Sequence, residues 1–328
     1  DLDMFNRTMT NLGRNPNVAA VVLVSLGCDP IDIDGIAEGI ARSGKPVEKL
    51  TIQQVGGTLA TVEKGSRIAR QMVSDASRVE RQEFDDAKLM FGAECGGSDT
   101  TSGLGSNPAI GSAFDILVKH GGRATFSETT EFIGAEHLLA QRAVTPEVGK
   151  QIVDMVRRYE QRFLEKGVDM RGTNPTKGNI EGGLTSIEEK SLGAISKGGT
   201  QPIQEIYEYG ERPTKGGLSI VDGPGFDAPS LTTLAAAGST IILFSTGRGT
   251  PLGSPFVPVI KVTANAATYE KMNDNMDFYV DLAKKDNMGE IGAKLYEECL
   301  LVASGKKTKA EILDQDRYNG MFVVGPLA

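Results

Sequence analysis

Residues Gly92–Gly111 read Gly-Ala-Glu-Cys-Gly-Gly-Ser-Asp-Thr-Thr-Ser-Gly-Leu-Gly-Ser-Asn-Pro-Ala-Ile-Gly. An apolar run, Lys88–Phe91, leads into this stretch, and an apolar-periodic segment, Ile110–Val118, leads out. The expectation is a core strand, a polar glycine loop and then a helix. That order places reactive groups at the carboxyl edge of a parallel sheet. Cys95, Asp99 and several hydroxyls lie on the loop. The same composition also suits a loop with no chemistry, so the stretch speaks to the fold before it speaks to function.

Upstream, Val18–Leu26 is a continuous apolar run rich in β-branched residues and reads as a buried parallel strand. It ends at Gly27-Cys28-Asp29-Pro30, and a helical segment follows to Ala41. Val47–Gln53 reads as a second strand, and Gly56-Gly57-Thr58 opens a helix over Leu59–Val79. Strand–helix–strand–helix argues for a doubly wound unit. Gly39-Ile-Ala-Arg-Ser-Gly-Lys-Pro46 approaches a phosphate-binding loop, but Pro46 stands where a metal-binding hydroxyl is required and a helix precedes it. Glu80–Asp86 is charged and reads as a linker.

Downstream, a helix to about His120 and a Gly121-Gly122 turn lead to a short strand, Arg123–Ser127. Glu128, Glu131, Glu136 and His137 cluster just beyond it. Thr145–Lys166 carries a capping Thr, Pro at the first helical position and Gly167 after its end. Gly172–Gly183 is a second polar glycine loop, and Thr185-Ser-Ile-Glu188 has the pattern of a capping box. Gly217–Asp222, Ser239–Thr246 and Val257–Val262 read as strands, with a helix over about Pro229–Ala237. The first two run into glycine loops with one charge, Asp227 or Arg248, and the third closes at Thr263-Ala-Asn265. Asp286–Ser304 reads as a helix with Cys299 on its apolar face, and Thr308-Lys-Ala-Glu311 caps a short final helix. The expected fold class is α/β, with doubly wound, mostly parallel sheets in two domains. Residues 1–86 form a flavodoxin- or Rossmann-like domain and residues 87–328 a larger catalytic one.

At 328 residues the chain exceeds the size at which one core stops growing. Its 40 glycines, well above average usage, fit many tight strand–helix turns. A net charge of −8, without a Lys/Arg cluster and without Trp, argues against nucleic acid. A small anionic substrate remains compatible with local cations. No run of about 18 apolar residues occurs, so no membrane span is expected. Three scattered cysteines suit neither a disulfide framework nor a zinc site and point to a reducing cytoplasm. The start at Asp1, without Met, is compatible with a fragment or a processed chain.

With two histidines, proton transfer must rest on carboxylates, Lys, Cys, Tyr or metal-bound water. No Gly-x-Ser-x-Gly elbow and no dinucleotide fingerprint are present. The remaining set suits proton abstraction beside a carboxylate with loss of a β leaving group, one option among several.

The order of several motifs is more specific. Ser25-Leu-Gly-Cys28, Gly56-Gly-Thr58, Cys95-Gly-Gly-Ser-Asp99 and Asn107-Pro come first. Glu128 to Glu131, Gly134-Ala-Glu-His137, Asn174-Pro, Gly178-Asn179, Thr185–Gly193, Phe244-Ser-Thr-Gly-Arg-Gly249 and Ile260-Lys-Val-Thr-Ala-Asn265 follow. Together they resemble the altronate/galactarate dehydratases, sugar-acid hydro-lyases, over nearly the whole chain. The resemblance implies a lyase dependent on a divalent metal, Fe2+ by usual assignment, with Mn2+ or Mg2+ as alternatives. Such an enzyme converts a 2,3-dihydroxy acid to a 2-keto-3-deoxy acid. Members usually carry a small N-terminal β-rich domain, fused or as a separate subunit, which this sequence does not contain; a separate small N-terminal-type subunit is a candidate partner, and a homo-oligomer is expected.

A branch of that family, the sulfolactate sulfo-lyase large subunit, eliminates sulfite. Pro175-Thr-Lys-Gly-Asn-Ile-Glu-Gly-Gly183 resembles that branch, whereas Gly247-Arg-Gly-Thr-Pro251 resembles the dehydratases. Dehydratase, sulfo-lyase and a non-catalytic subunit of such a lyase therefore all stand. By the resemblance, Cys95, Asp99 and Glu128 are candidate metal ligands. Glu136 or His137, with Cys95 and Lys177, are candidate catalytic groups. Ser98, Asn179, Glu181, Thr246 and Arg248 are candidate substrate contacts.

Overall fold

The computed structural model describes residues 1–284 and 287–324. Strands β1 (Val21–Ser25) and β2 (Val47–Thr51) pair in parallel as a two-stranded sheet. Helices Ile33–Ala41 and Thr58–Ala76 complete this small lobe. The expected strand–helix–strand–helix order is present, but β1 is not buried as expected: Val24 is 54% exposed. Two strands make too little sheet to cover both faces, so an apolar run that reads as a core strand here has one wet side. The Leu2–Gly13 helix, unmarked in the sequence, packs on the Ile33–Ala41 helix and on the Asp227–Ala237 helix of the larger lobe. Asn11 and Asn15 donate to Gly210 O, Ala235 O and Ser239 O and tie it there.

The larger lobe is built on seven parallel strands. They are β3 (Met90–Gly96), β4 (Arg123–Phe126), β5 (Ile203–Tyr207), β6 (Gly217–Val221), β7 (Ile241–Thr246), β8 (Val259–Thr263) and β9 (Phe278–Tyr279), in the order β5-β6-β4-β3-β7-β8-β9. The sequence does not mark β5 or β9. The main core lies on one face, where Phe91, Ala93, Leu243 and Ile260 meet the Asn107–Lys119 and Met288–Ala303 helices. The Asp227–Ala237 helix covers the other face, over Ile242 and Phe244. Cys299 is buried in the main core, as its helical position predicts. The expected start of that last long helix at Asp286 lies outside the described residues.

The opening stretch needs one correction. β3 does not stop at Phe91 but runs to Gly96, paired with β7 through Gly96–Thr246. Its glycines serve close approach rather than a turn. A Cβ at Gly92 would lie 2.7 Å from Ser239 Oγ, and one at Gly96 2.5 Å from Asp227 Oδ1. Only residues without a side chain let the covering segments lie so near. Likewise the second glycine loop, Gly172–Gly183, is partly helical. Lys177–Glu181 forms a short helix with a reciprocal capping box between Thr176 and Asn179. Among the described residues, no helix is long and apolar enough to cross a membrane.

Candidate active site

The chain leaves β3 toward β4, β6 and β5 on one side and returns to β7, β8 and β9 on the other. Strand direction in the sheet order therefore reverses about β3. In open parallel sheets the crevice for ligands lies beyond the carboxyl ends of the strands at this switch point. The loops after β3, β4, β7 and β8 meet there. Gly97 O accepts from Gly247 N (3.3 Å) and Arg248 N (3.0 Å), Thr100 N donates to Gly182 O, and Asn179 Nδ2 donates to Ser98 O at 2.9 Å.

Behind these loops lies a buried charged cluster. Cys95, at the end of β3, faces the chain emerging from β4, where Glu128 is held in the left-handed region (φ 78°) and fully buried. A non-glycine residue in that conformation is strained, and such strain is kept where surrounding contacts over-determine it. Those contacts are specific. Glu128 Oε2 accepts from Cys95 N (2.8 Å) and from Lys197 Nζ (2.5 Å), while Lys197 Nζ also lies 3.1 Å from Cys95 Sγ.

Burial pushes the Glu128 carboxyl up to about 7, against the pull of Lys197. Burial works against charge on Lys197, yet Cys95 and Glu128 hold its ammonium above the ordinary lysine range. Both shifts are upward for opposite reasons: burial outweighs pairing for the carboxylate, while pairing outweighs burial for the ammonium. Burial, reinforced by Glu128, raises the Cys95 thiol and keeps it protonated.

A second pair sits at the rim. Lys190 Nζ donates to Glu131 Oε1 (3.1 Å) and Asn174 Oδ1 (2.8 Å). Glu131 Oε2 is buried and has no partner. On the opposite face of β3, Glu94 is buried, accepts from the Ser230 hydroxyl and leaves Oε1 unpartnered. Burial, with Glu128 and Asp227 nearby, raises its carboxyl well above the usual range. An unpaired buried carboxylate oxygen is costly, and Glu131 Oε2 is one that a ligand donor would satisfy.

The expected substrate contacts come together at the crevice mouth. Arg248 Nη1 donates to Gly178 O (2.8 Å) and reaches Glu181 Oε2 (3.4 Å), and Thr246 Oγ1 accepts from Gly249 N. The expected catalytic groups do not gather as a set. Glu136 accepts from Gly134 N, His137 is exposed, and Lys177 is exposed on the first turn of its short helix. Among the described residues, no hydrogen bond or ion pair joins these three to Cys95.

Asp99 is part of a different knot. Oδ1 accepts from Thr101 Oγ1, Ser102 N and Ser102 Oγ, and Oδ2 accepts from Asn265 Nδ2 at 2.8 Å. Both its oxygens are thus committed to joining the β3 and β8 loops. Cys95 Sγ and Glu128 Oε1 do face each other at 3.6 Å, but the Lys197 ammonium occupies the position a cation would take between them. The trio Cys95, Asp99 and Glu128 therefore does not fit a divalent ion in this arrangement, and no group of three or more His, Cys, Asp or Glu among the described residues does.

Lys197 carries no mark in the sequence, standing in an ordinary Ser-Lys-Gly-Gly run. Lys190 and Asn174 lie inside the motif stretches but draw no role from residue type alone.

Residues 87–323 match the family described as D-galactarate/Altronate dehydratase, C-terminal. Residues 1–77 match D-galactarate dehydratase/Altronate hydrolase, second domain. The chain is 41% identical to the (2R)-sulfolactate sulfo-lyase subunit beta of Chromohalobacter salexigens, over 97% of this chain and 82% of that protein. It is 37% identical to the galactarate dehydratase (L-threo-forming) of Escherichia coli, over 92% of this chain and 59% of that protein. It is 34% identical to the altronate dehydratase of Bacillus subtilis, over 95% of this chain and 62% of that protein. The chain thus spans about three fifths of the length of these two dehydratases.

Proposed function

The chain belongs to the D-galactarate/altronate dehydratase family, and from that premise we propose that it is a lyase that eliminates a β substituent from a small 2-hydroxy acid. The observation that carries the chemistry is Glu131. One carboxylate oxygen is held by Lys190 and Asn174, and the other is buried with no partner at the carboxyl ends of the strands.

Placed over that oxygen, the C2 hydrogen of a hydroxy acid passes to Glu131. The Lys190 ammonium lies beside the charge that develops on the substrate carboxylate as an enediolate forms. The C2–C3 double bond forms as the C3 substituent departs with its electron pair. The resulting enol takes a proton at C3, releases the proton of its C2 hydroxyl and becomes a 2-keto acid. A departing hydroxide leaves as water after taking one proton, and a departing sulfite leaves as the anion. Lys197, Glu128 and Cys95 form the rigid floor that holds the Ser127–Phe132 segment, and with it Glu131, in register with β3. Arg248 and Asn179 form the mouth, suited to the anionic end of the acid.

Two leaving groups have support. Water is favoured by the Gly247–Pro251 stretch and by the dehydratase relatives. Sulfite is favoured by the Pro175–Gly183 stretch and by the sulfo-lyase relative. That relative is a subunit, and a separate small subunit is accordingly proposed as a partner of this chain.

The test incubates the protein, alone and with such a subunit, with galactarate, altronate and sulfolactate. A 2-keto acid without sulfite assigns dehydration, and pyruvate with sulfite assigns carbon–sulfur elimination. No product from any combination refutes the lyase reading for this chain.

A further inference from the structure

A cavity of about 310 Å³ lies beside the acid–base rim, between the Ser102–Ser106 turn and the Ile187–Ile195 helix. Ser98, Ser102, Asn107, Leu184, Lys190 and Gly193 are among its walls. Two of these residues carry unfinished hydrogen bonding. Asn107 is 2% exposed and donates Nδ2 to Gly193 O at 3.0 Å, but its Oδ1 has no partner. Lys190 spends two of its three N–H groups on Glu131 and Asn174 and lines the cavity with the same side chain.

A buried amide oxygen without a donor costs free energy unless something in the cavity supplies one. Hydroxyls of Ser98 and Ser102 and the apolar side of Leu184 complete a wall that suits a short carbon chain bearing hydroxyls. The volume sits at the small end of ligand pockets, about 300 Å³ and upward. Lys190 is common to the two places: it lines the cavity and bonds to Glu131.

We propose that this cavity receives the polyol tail of the substrate, the carbons beyond the reacting pair, and that Asn107 Oδ1 accepts a hydrogen bond from a tail hydroxyl. Asn107 is then the residue that separates polyhydroxy acids from three-carbon acids. The inference rests on the lyase reading for the position of the reacting end, but its test reads binding and needs no turnover. A site built to accept from a hydroxyl rejects a ligand lacking it far more strongly than an apolar pocket rejects a size change.

The experiment measures dissociation constants of galactarate and glycerate by isothermal titration into the full chain. It compares the unsubstituted protein with Asn107→Leu and Leu192→Trp. Asn107→Leu removes the acceptor. Leu192→Trp narrows the mouth from an exposed position and spares the buried wall. The expected result is that both substitutions weaken galactarate at least tenfold and leave glycerate within twofold. Equal losses for the two acids, no loss for galactarate, or no galactarate binding by the unsubstituted chain overturns the proposal. If galactarate binds with this pattern but no hydroxy acid is eliminated, the lyase reading fails and the polyol pocket stands. Should Asn107→Leu not fold, Leu192→Trp alone decides the matter.

Discussion

Replacing Lys197 by Met tests the buried cluster directly. Lys197 is fully buried, with Nζ 2.5 Å from Glu128 Oε2 and 3.1 Å from Cys95 Sγ. Met fills most of the volume but removes the charge, leaving Glu128 with the Cys95 N–H at 2.8 Å and the Cys95 thiol at 3.6 Å. Breaking one side of a buried ion pair costs about 3–5 kcal/mol, because a charge is left without compensation. The variant avoids part of this by keeping a proton on Glu128, which makes its stability depend on pH.

In the native protein the Glu128 carboxyl is already raised from 4.5 to about 7, and loss of Lys197 raises it further. The folded variant therefore binds a proton that the unfolded chain releases once pH exceeds about 4.5. Its stability falls as pH rises from there, and the deficit against the unsubstituted protein is largest near pH 8. Below about 7 Glu128 keeps its proton in the folded unsubstituted protein as well, which then carries a buried ammonium without a carboxylate. The deficit closes at that end.

Urea unfolding followed by tyrosine fluorescence is the assay. All seven tyrosines lie beyond residue 86, so the signal reports the lobe that contains the cluster. A deficit under about 1 kcal/mol at pH 8, or one that grows on acidification, refutes the account. Adding Glu128→Leu to Lys197→Met should restore most of the loss, because a packed apolar pair needs no partner charge.

Three further outcomes follow from the same geometry. Glu131→Gln should lower kcat by about 10²–10⁴-fold on whichever hydroxy acid is turned over, and should lower the urea midpoint as well because Lys190 loses its buried partner charge; a kcat loss of less than threefold would remove Glu131 from the chemistry. Gly247→Ala puts a Cβ 2.1 Å from Asp99 Cγ and should destabilise the larger lobe by about 1–3 kcal/mol, read in the same melts. Arg248→Ala breaks a half-exposed pair with Glu181 and an exposed hydrogen bond to Gly178 O, so the urea midpoint should shift little while KM for the acid rises; an unchanged KM would place the carboxylate elsewhere.

The cluster joins fold and function through a single junction. Cys95, near the end of β3, and Glu128, just past the end of β4, are bonded across these two neighbouring strands. That bond, beside the reversal rather than across it, fixes the path of the Ser127–Phe132 segment. Glu131, three residues on from Glu128, reaches the rim because Glu128 itself is held in a left-handed turn. A change that relaxes this turn should therefore affect the reaction more than it affects the packing of the sheet.

Much of the architecture is local and so is written in short segments. Apolar β-branched runs such as Ile241–Leu243 cannot stay in water, and glycine, capping Thr and Pro mark where helices start and stop. Thr145 before Pro146 caps its helix as its residue types predict. Convergence of the loops carrying Ser98, Asn179, Thr246 and Arg248 also follows from the pattern, since parallel strands bring their carboxyl ends to one edge. Glycine density misled at β3 because a glycine that opens a turn and one that admits a covering helix look alike in sequence.

The charged cluster is of another kind. Lys197 stands 102 residues from Cys95 and 69 from Glu128, and its ammonium gains its meaning only when folding removes water from around all three. The stretch Gly92–Gly111 determined by itself that a strand, a turn rich in hydroxyls and a helix would meet at a sheet edge. Which of its side chains face a reacting molecule was decided by the tertiary structure. Asp99 has its oxygens filled by Thr101, Ser102 and Asn265, while Cys95 meets a lysine and a glutamate from distant segments. Residue type sets what a group can do, but burial and neighbours set what it is left free to do.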